Sequence, residues 1–352
     1  MRVSSNLRHL RALCGIAATA AITAVLLPSY SAFAQGRGAP PPMGHAHQMD
    51  AESLRILRER VPSYALMTDD QINENMGMMP PDWTWYGSAD GVSDDVGVLV
   101  VAHGSGTSGD KVLQDGVMPI AKTHPTAIGY GMAMMGSFHI QDAIDQLTAA
   151  GAKTIVVVPA VVTEQSSIYR QWSYIFDLNN DAAYLNVPRV KTDAKIILAP
   201  AMDEHPLVTE ILFDHAKEVS TDPSKEVVII LGHGPTFEEE NAVELKHIAT
   251  HAGRLKEMGG FADVKGITLQ DDAPEEMRAA NVATVRKWVE DADKAGLTPI
   301  IVGYLISTRG IQYKINNDLA GLDYKFQTKG LSAHGNFTKW IRATVDEQLA
   351  GM

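Results

Sequence analysis

Two histidines stand at matching positions in the sequence, each directly before a glycine and directly after an apolar run. His103 follows Val96–Ala102 (VGVLVVA), and His233 follows residues 226–231 (EVVIIL) and Gly232. A neutral imidazole can bind a divalent metal ion or accept a proton, because its unperturbed pKa is about 6.5. The pair therefore indicates metal or proton-transfer chemistry. For either histidine taken alone, a capped turn is the alternative.

The two histidines need a scaffold, and an alternation of apolar runs with helical patterns supplies one. Runs such as residues 153–158 (KTIVVV), 195–199 (KIILA) and 299–306 predict buried strands, and segments such as 139–150, 206–219 and 237–258 predict helices. Strands that alternate with helices predict an α/β fold with a parallel sheet covered on both faces. Ligands of such sheets bind beyond the carboxyl ends of the strands, where both histidines fall.

Three landmarks occur twice and in the same order. They are Ala102-His103-Gly104 with Gly232-His233-Gly234, Ala150-Gly151 with Ala295-Gly296 before an apolar run, and His205-Pro206 with His334-Gly335 before a helix. This order predicts an internal duplication. We therefore expect two similar lobes, residues 96–222 and 223–352, each a parallel sheet covered by helices. The paired histidines are expected to face one cleft between the lobes.

The segment before the first lobe predicts export. Three arginines precede an apolar stretch at residues 14–27, and Ser31-Ala32-Phe33-Ala34 gives a small-x-small cleavage pattern. Residues 1–34 are therefore predicted to be a signal peptide of a periplasmic or secreted protein. A permanent membrane anchor is the alternative, although the run is short for a bilayer span. We expect a disordered leader at residues 35–50 and an N-terminal extension at residues 51–95.

Charge and cysteine content limit the chemistry. The formal net charge is −12, and loss of the three signal-peptide arginines makes it −15 (−12 − 3). An acidic protein binds polyanions poorly, which argues against nucleic acid as a partner. The only cysteine, Cys14, leaves with the signal peptide. A metal site in the remaining chain must therefore use His, carboxylate, amide or backbone ligands.

Residues 104–109 (GSGTSG) predict a flexible polar loop after the first strand. A glycine-rich loop at this position also suits phosphate or dinucleotide binding, but the spacing of both nucleotide fingerprints is missing. An α/β hydrolase is a poorer interpretation, because neither half carries a Gly-x-Ser-x-Gly elbow.

The ordered set of motifs resembles one family. VGVLVVAHGS followed by AGAKTIVVVPAVV is similar to the sirohydrochlorin cobaltochelatases and ferrochelatases, the class II metal chelatases, and GLSAHGNFTKWI is similar to their longer members. The resemblance covers residues 96–349. It implies insertion of Co²⁺ or Fe²⁺, with Ni²⁺ as a further candidate, into a tetrapyrrole held between two lobes. No organic cofactor and no stable membrane anchor are implied.

The resemblance also implies roles for particular residues. His103 and His233 are expected to act as metal ligand and proton acceptor, and Glu164 is expected to be a further metal ligand. The expected substrate-binding residues are Ser105, Gln165, Arg309 and His334.

One departure from the family concerns the loop after VVVP, which usually carries a second histidine. Gln165 lies at or beside that position, and the second half has Ser307-Thr308-Arg309-Gly310 there. Neither Gln nor Arg replaces an imidazole as a metal ligand and proton acceptor. Arg309 instead suits a propionate or acetate arm. A non-catalytic exported protein that binds a metal or a tetrapyrrole is therefore the alternative function.

Other polar residues have simpler interpretations. Glu238–Glu239–Glu240 is typical of a solvated first helical turn, and His205 and His334 are typical of helix caps. His247 and His251 share a helical face without an evident third metal ligand. The leader histidines, His45 and His47, are expected in a disordered segment, where with Met43 and Met49 they would capture a metal weakly at most.

Overall fold

The computed structural model describes residues 49–77, 83–93, 95–307 and 311–352. The predicted signal peptide, nearly all of the predicted leader and Arg309 lie outside these residues. Within the described ranges, no helix is both long and apolar enough to cross a bilayer.

Two short helices form the start of the described chain, α1 (Ala51–Arg60) and α2 (Asp69–Gly77), with a 3-10 turn at Pro62–Tyr64 between them. Asp50 begins α1 by accepting a hydrogen bond from the Ser53 amide at 2.7 Å. Residues 51–77 are called the helical extension below. Its buried apolar side chains pack with two methionines that follow a strand of lobe 1, Met132 and Met134.

Lobe 1 is built on a five-stranded sheet. Its strands are β1 (Trp83–Gly87), β2 (Val96–Ala102), β3 (Thr126–Tyr130), β4 (Thr154–Pro159) and β5 (Lys195–Leu198). Their order is β1-β3-β2-β4-β5, and only β1 runs antiparallel to its neighbour. The helices are α3 (Gly106–Val117), α4 (Phe138–Ala149), α5 (Ser167–Ile175) and α6 (Pro206–Val219). Residues of β2 alternate between two separate core clusters, which is why this strand is apolar throughout.

Lobe 2 repeats this order without the antiparallel edge strand. Its strands are β6 (Glu226–Gly232), β7 (Asp263–Thr268), β8 (Thr298–Tyr304) and β9 (Lys325–Gln327). Their order is β7-β6-β8-β9, and all pairs are parallel. The helices are α7 (Glu238–Gly259), α8 (Glu275–Lys294), α9 (Ile311–Asp318) and α10 (Gly335–Ala350). The strand order reverses beside β2 in lobe 1 and beside β6 in lobe 2. His103 and His233 therefore follow strands at the two topological switch points.

The last helix of each half packs on the other half. Helix α6 lies against β8, β9 and α7 of lobe 2, while α10 lies against α3 and β4 of lobe 1. A hydrogen bond of 2.8 Å joins Thr209 of α6 to His251 of α7, and Thr338 of α10 donates to the Gly116 carbonyl of α3 at 2.6 Å. One apolar cluster accordingly contains side chains from both sheets. The boundary at residues 222 and 223 separates the two sheets in sequence, but it does not separate their covering helices.

The α/β prediction is confirmed, with two corrections. The sheet of lobe 1 is mixed, because β1 from the N-terminal extension joins its edge in antiparallel orientation. The stretch at residues 104–109 is also not a free loop, since α3 begins at Gly106. Three glycines give α3 a low helix propensity, so packing of Leu113 and Val117 must stabilise it.

Candidate active site

A cavity of about 530 Å³ lies where the loops of the two lobes meet, at the carboxyl ends of their strands. His103 and Ser105 line it from lobe 1, and His233 lines it from lobe 2. The volume falls within the range of roughly 300–1,000 Å³ that is common for small-molecule sites. The structure thus brings both histidines of the sequence analysis to one cleft.

The two histidines have the same local geometry. The Nδ1 atom lies 3.2 Å from the Gly104 carbonyl oxygen in His103 and 2.9 Å from the Gly234 carbonyl oxygen in His233. A carbonyl oxygen only accepts, so this contact favours the tautomer that carries the proton on Nδ1 and leaves a lone pair on Nε2. Metal-binding histidines commonly have this arrangement. Both rings are therefore set to offer Nε2 to a metal ion or a proton.

The turn that aims each ring requires a left-handed glycine. Gly104 has φ +86° and Gly234 has φ +83°. A Cβ atom at Gly234 would also lie 2.5 Å from the Cβ atom of Thr268. The two turns are alike in backbone as well as in sequence, which supports the duplication.

Replacing Gly234 by Ala should lower the free energy of unfolding by about 2 kcal/mol or more, because the left-handed backbone and the Thr268 contact both oppose a side chain. Urea denaturation measures this change. Gly253→Ala is the matched control, because Gly253 lies in α7 with open space around its Cβ position, and it should be neutral or stabilising. Equal stability of Gly234→Ala and the parent protein would contradict the prediction.

Carboxylates surround His233. Its Nε2 atom lies 3.8 Å from Oδ2 of Asp272, and Asp271 also lines the cavity. Burial alone would lower the pKa of His233, but the negative charges of Asp272 and Asp271 outweigh it and raise that pKa above its usual value. Asp271 is itself buried and is held by Arg278 at 2.7 Å and Lys314 at 3.1 Å. These groups make lobe 2 the more acidic side of the cleft.

A buried carboxyl group, Glu244 of α7, also lines the cavity. It is only 1% exposed, and its Oε1 atom has no hydrogen-bond partner in the described part of the chain. Burial raises the pKa of Glu244 to about 7, and the opposing attraction of His233 is smaller. A carboxyl group with this pKa exchanges protons at neutral pH, so it suits general acid–base chemistry.

Asp110 of α3 is a second buried carboxyl group at the cleft. Its Oδ1 atom accepts a hydrogen bond from the Ser105 amide at 2.6 Å, and Trp83 Nε1 lies 3.4 Å from Oδ2. Burial raises the pKa of Asp110, while the hydrogen bonds from Ser105 and Trp83 oppose that shift. Asp110 therefore fixes the backbone directly after His103 and Gly104.

The loop after β4 presents different residues to the cavity from those predicted. Thr163, Ser166 and Ser167 line the cavity, whereas Glu164 and Gln165 are not among its lining residues. Glu164 instead lies near Asp203 and His247. Burial and the charge of Asp203 raise its pKa. The lining of the cavity therefore includes neither Glu164, the predicted metal ligand, nor Gln165, the predicted substrate contact, and both roles stay predictions.

His334 also lies outside the lining of the cavity. Its Nδ1 atom accepts from the Asn336 amide at 3.1 Å and caps α10, and its Nε2 atom lies 3.2 Å from Asp214. His205 caps α6 in the same way, through the Leu207 amide at 3.2 Å. The structure therefore shows His334 as a helix cap outside the lining of this cavity, and its substrate-binding role stays a prediction.

The remaining polar candidates take structural positions. Glu240 pairs with Arg170 across the two lobes, and His251 is buried between Thr209 and the Asp203 carbonyl. His247 lies 3.2 Å from Asp203. Among the described residues, no group of three or more His, Cys, Asp or Glu side chains is placed to hold one metal ion.

Several known proteins are similar to parts of this chain. Residues 97–219 match the CbiX family model. The sirohydrochlorin cobaltochelatase of Methanothermobacter thermautotrophicus is 26% identical over 132 residues, which cover 35% of this chain and 91% of that protein. The structure of SirB from Bacillus subtilis with Fe³⁺ aligns with a TM-score of 0.53 and 17% identity, over 72% of this chain and 95% of that chain. DR2241 from Deinococcus radiodurans aligns with a TM-score of 0.46 and 17% identity, over 71% of this chain and 54% of that chain.

The fold and the cleft define a two-lobed α/β protein with one ligand cavity between pseudo-equivalent histidines. Residues 97–219, which make up most of lobe 1, match the CbiX family model, so lobe 1 is similar to the class II chelatases. The likeness to SirB concerns the fold alone. The helical extension lies outside the residues that match the family model.

Proposed function

We propose that this protein inserts a divalent metal ion, Co²⁺ or Fe²⁺, into a sirohydrochlorin-type tetrapyrrole bound in the cleft between the lobes. The observation that carries the proposal is the pair of imidazoles with matching Nδ1 contacts, set on one cavity together with a carboxyl group whose pKa is about 7. The match of lobe 1 to the CbiX family model and its similarity to a sirohydrochlorin cobaltochelatase support the same class of reaction.

The surroundings of the two histidines support different roles. His233 stands beside Asp272 and Asp271, whose negative charges raise its pKa and favour its protonated form, so it is our candidate for the proton acceptor. His103 lies in the less acidic half of the cleft, so its Nε2 atom is our candidate for the metal ligand. The carboxylates of lobe 2 would attract the metal cation toward the cavity.

Metal insertion releases two protons, because the macrocycle loses the hydrogens of two pyrrole nitrogens as four nitrogens bind the metal. His233 can accept one proton at Nε2. Ionised Glu244 can accept the other, and its pKa lets it pass the proton to solvent near neutral pH. The metal charge of +2 replaces the two protons, so the net charge of the macrocycle is unchanged.

The walls of the cavity suit the body of a macrocycle. They are largely apolar and come from both lobes, and include Leu113, Val162, Ile168, Trp172, Leu305 and Ile306. Apolar lining with a few convergent polar groups is the usual composition of a small-molecule site.

A non-catalytic exported protein that binds a metal or a tetrapyrrole is the second candidate. The specific observation in its favour is that the loop after β4 contributes Thr163 and Ser166, and no histidine, to the lining of the cavity. Such a protein would retain the cleft and bind its ligand without accelerating metal insertion.

The experiment that separates the two functions follows the absorbance spectrum of sirohydrochlorin with Co²⁺ or Fe²⁺ in the presence of the purified protein. Insertion faster than the uncatalysed reaction supports the chelatase. A spectral shift on binding without acceleration supports the carrier. If neither the metal nor the tetrapyrrole binds, both proposals are wrong.

We also propose that the protein acts after export, on the basis of the sequence pattern at residues 1–34. Mass spectrometry of protein from the extracytoplasmic fraction should give a chain that begins at Gln35. An intact N-terminus in the cytoplasmic fraction would contradict export.

A further inference from the structure

The helical extension covers part of the cleft that the family match does not account for. Val61 and Tyr64, from the end of α1 and the following 3-10 turn, line the same cavity as His103 and His233. Tyr64 is 8% exposed, and burial together with the nearby charge of Asp272 raises its pKa to about 12. Its side chain is therefore neutral at physiological pH.

The extension is docked by a core of its own. Leu57 and Ile72 are fully buried, and they cluster with Leu54, Val61 and Met76 and with Met132 and Met134 of lobe 1. Full burial of each such side chain contributes about 1.5–3 kcal/mol. The position of Tyr64 is thus set by packing and not by the ligand.

Polar contacts tie the extension to both sides of the cleft. The Arg60 guanidinium donates to the carbonyls of Ala182 and Tyr184 in lobe 1. The Ser63 amide donates to the Asp272 carbonyl in lobe 2 at 3.2 Å. Because Asp272 also faces His233, the extension is joined to the acidic side of the site itself.

We infer that the helical extension forms one wall of the tetrapyrrole site and that the Tyr64 ring packs against the bound macrocycle. This inference rests on the proposed function. An aromatic ring gives a large contact area for a flat conjugated ligand, and its offset stacking adds to the burial of apolar surface. Tyr64 is accordingly a substrate-positioning residue that the family motifs do not supply.

The test compares three variants of the full chain, Tyr64→Ala, Tyr64→Phe and Ile72→Ala. The dissociation constant for sirohydrochlorin is measured by absorbance or fluorescence titration, and stability is measured by thermal unfolding. Tyr64→Ala should weaken binding about tenfold, as expected for a central aromatic contact. Tyr64→Phe retains the ring and should bind like the parent protein.

Ile72→Ala is the matched control, because Ile72 is buried in the same cluster but does not line the cavity. It should lower the unfolding temperature and leave the dissociation constant within about twofold of the parent value. Under turnover, Tyr64→Ala should raise KM far more than it lowers kcat.

Two results would overturn the inference and leave the proposed function standing. One is parent-like binding by Tyr64→Ala, and the other is a loss of binding in Ile72→Ala as large as that in Tyr64→Ala. If the parent protein itself does not bind sirohydrochlorin, the proposed function fails and the inference fails with it. The parent titration therefore separates the two kinds of failure.

Discussion

Replacing His103 by Ala should slow metal insertion by about a hundredfold or more. The Nε2 atom of this residue is the proposed metal ligand in the less acidic half of the cleft, and no other imidazole of lobe 1 lines the cavity among the described residues. A single positioned side chain in general acid–base catalysis contributes a rate factor of roughly 10²–10⁴, and we expect the loss of the metal ligand to fall in the same range. The initial rate of the spectral change with sirohydrochlorin and Co²⁺ measures the loss.

His205→Ala is the control for removing a histidine from lobe 1. His205 caps α6 away from the cavity, so this variant should lose about 1 kcal/mol of stability and keep its rate. His233→Ala should also slow insertion. Its rate, relative to that of the parent protein, should fall most at the pH where proton acceptance limits the reaction. If His103→Ala inserts metal as fast as the parent protein, His103 has no part in the mechanism.

Replacing Glu244 by Gln should remove a proton acceptor and, at the same time, stabilise the fold above neutral pH. The folded-state pKa of about 7 lies above the ordinary value of 4.5, so folding favours the protonated carboxyl group. Below about pH 4.5 the group is protonated in both folded and unfolded chains, and Gln and Glu should be equally stable. As the pH rises toward 7, the unfolded chain ionises first and the parent protein loses stability.

The expected gain of Glu244→Gln is about 3 kcal/mol at pH 8, since each unit of pKa difference corresponds to about 1.4 kcal/mol. Urea denaturation at pH 4.5 and pH 8 measures it. Glu257→Gln serves as the control, because Glu257 is an exposed residue of the same helix and its replacement should change stability by no more than about 0.5 kcal/mol. A Glu244→Gln variant that gains nothing at pH 8 and inserts metal at the parent rate would contradict both parts of the prediction.

The position of the paired histidines was predictable from local patterns. An apolar run that ends in His-Gly places the imidazole at the carboxyl end of a buried strand, and two such runs in a duplicated chain face one cleft. The same reasoning applies to Asp271 and Asp272, which follow β7 closely. The signal at these two residues is weaker, because β7 is less apolar than its neighbours.

The position of Glu244 in its helix could also have marked it as a candidate site residue. It stands on the buried stripe of α7 with Ile248, His251 and Leu255, at helical spacing. A carboxyl group on an apolar stripe predicts either a structural pair or a functional acid. The sequence alone does not separate these two possibilities, whereas the three glutamates at the start of the same helix, Glu238, Glu239 and Glu240, follow the ordinary pattern of an acidic first turn.

Local sequence patterns do not predict whether Glu164, Gln165 or Tyr64 lines the cleft. Whether a side chain in a turn points into a cleft depends on one or two backbone angles, which residue type does not determine. Tyr64 reaches the cavity only because the helical extension docks on methionines far along the chain. Long-range packing of this kind leaves no periodicity in the sequence.

Helix α6 packs on lobe 2 and helix α10 packs on lobe 1, so the two halves should not fold as separate fragments. A cut between residues 222 and 223 would leave each sheet without the helix that covers it, while the missing helix would remain on the other fragment. Either fragment expressed alone would therefore expose an apolar surface and aggregate. Co-expressed, the two fragments should reassociate and rebuild the core as a split protein, and the reassembled pair should regain the cleft.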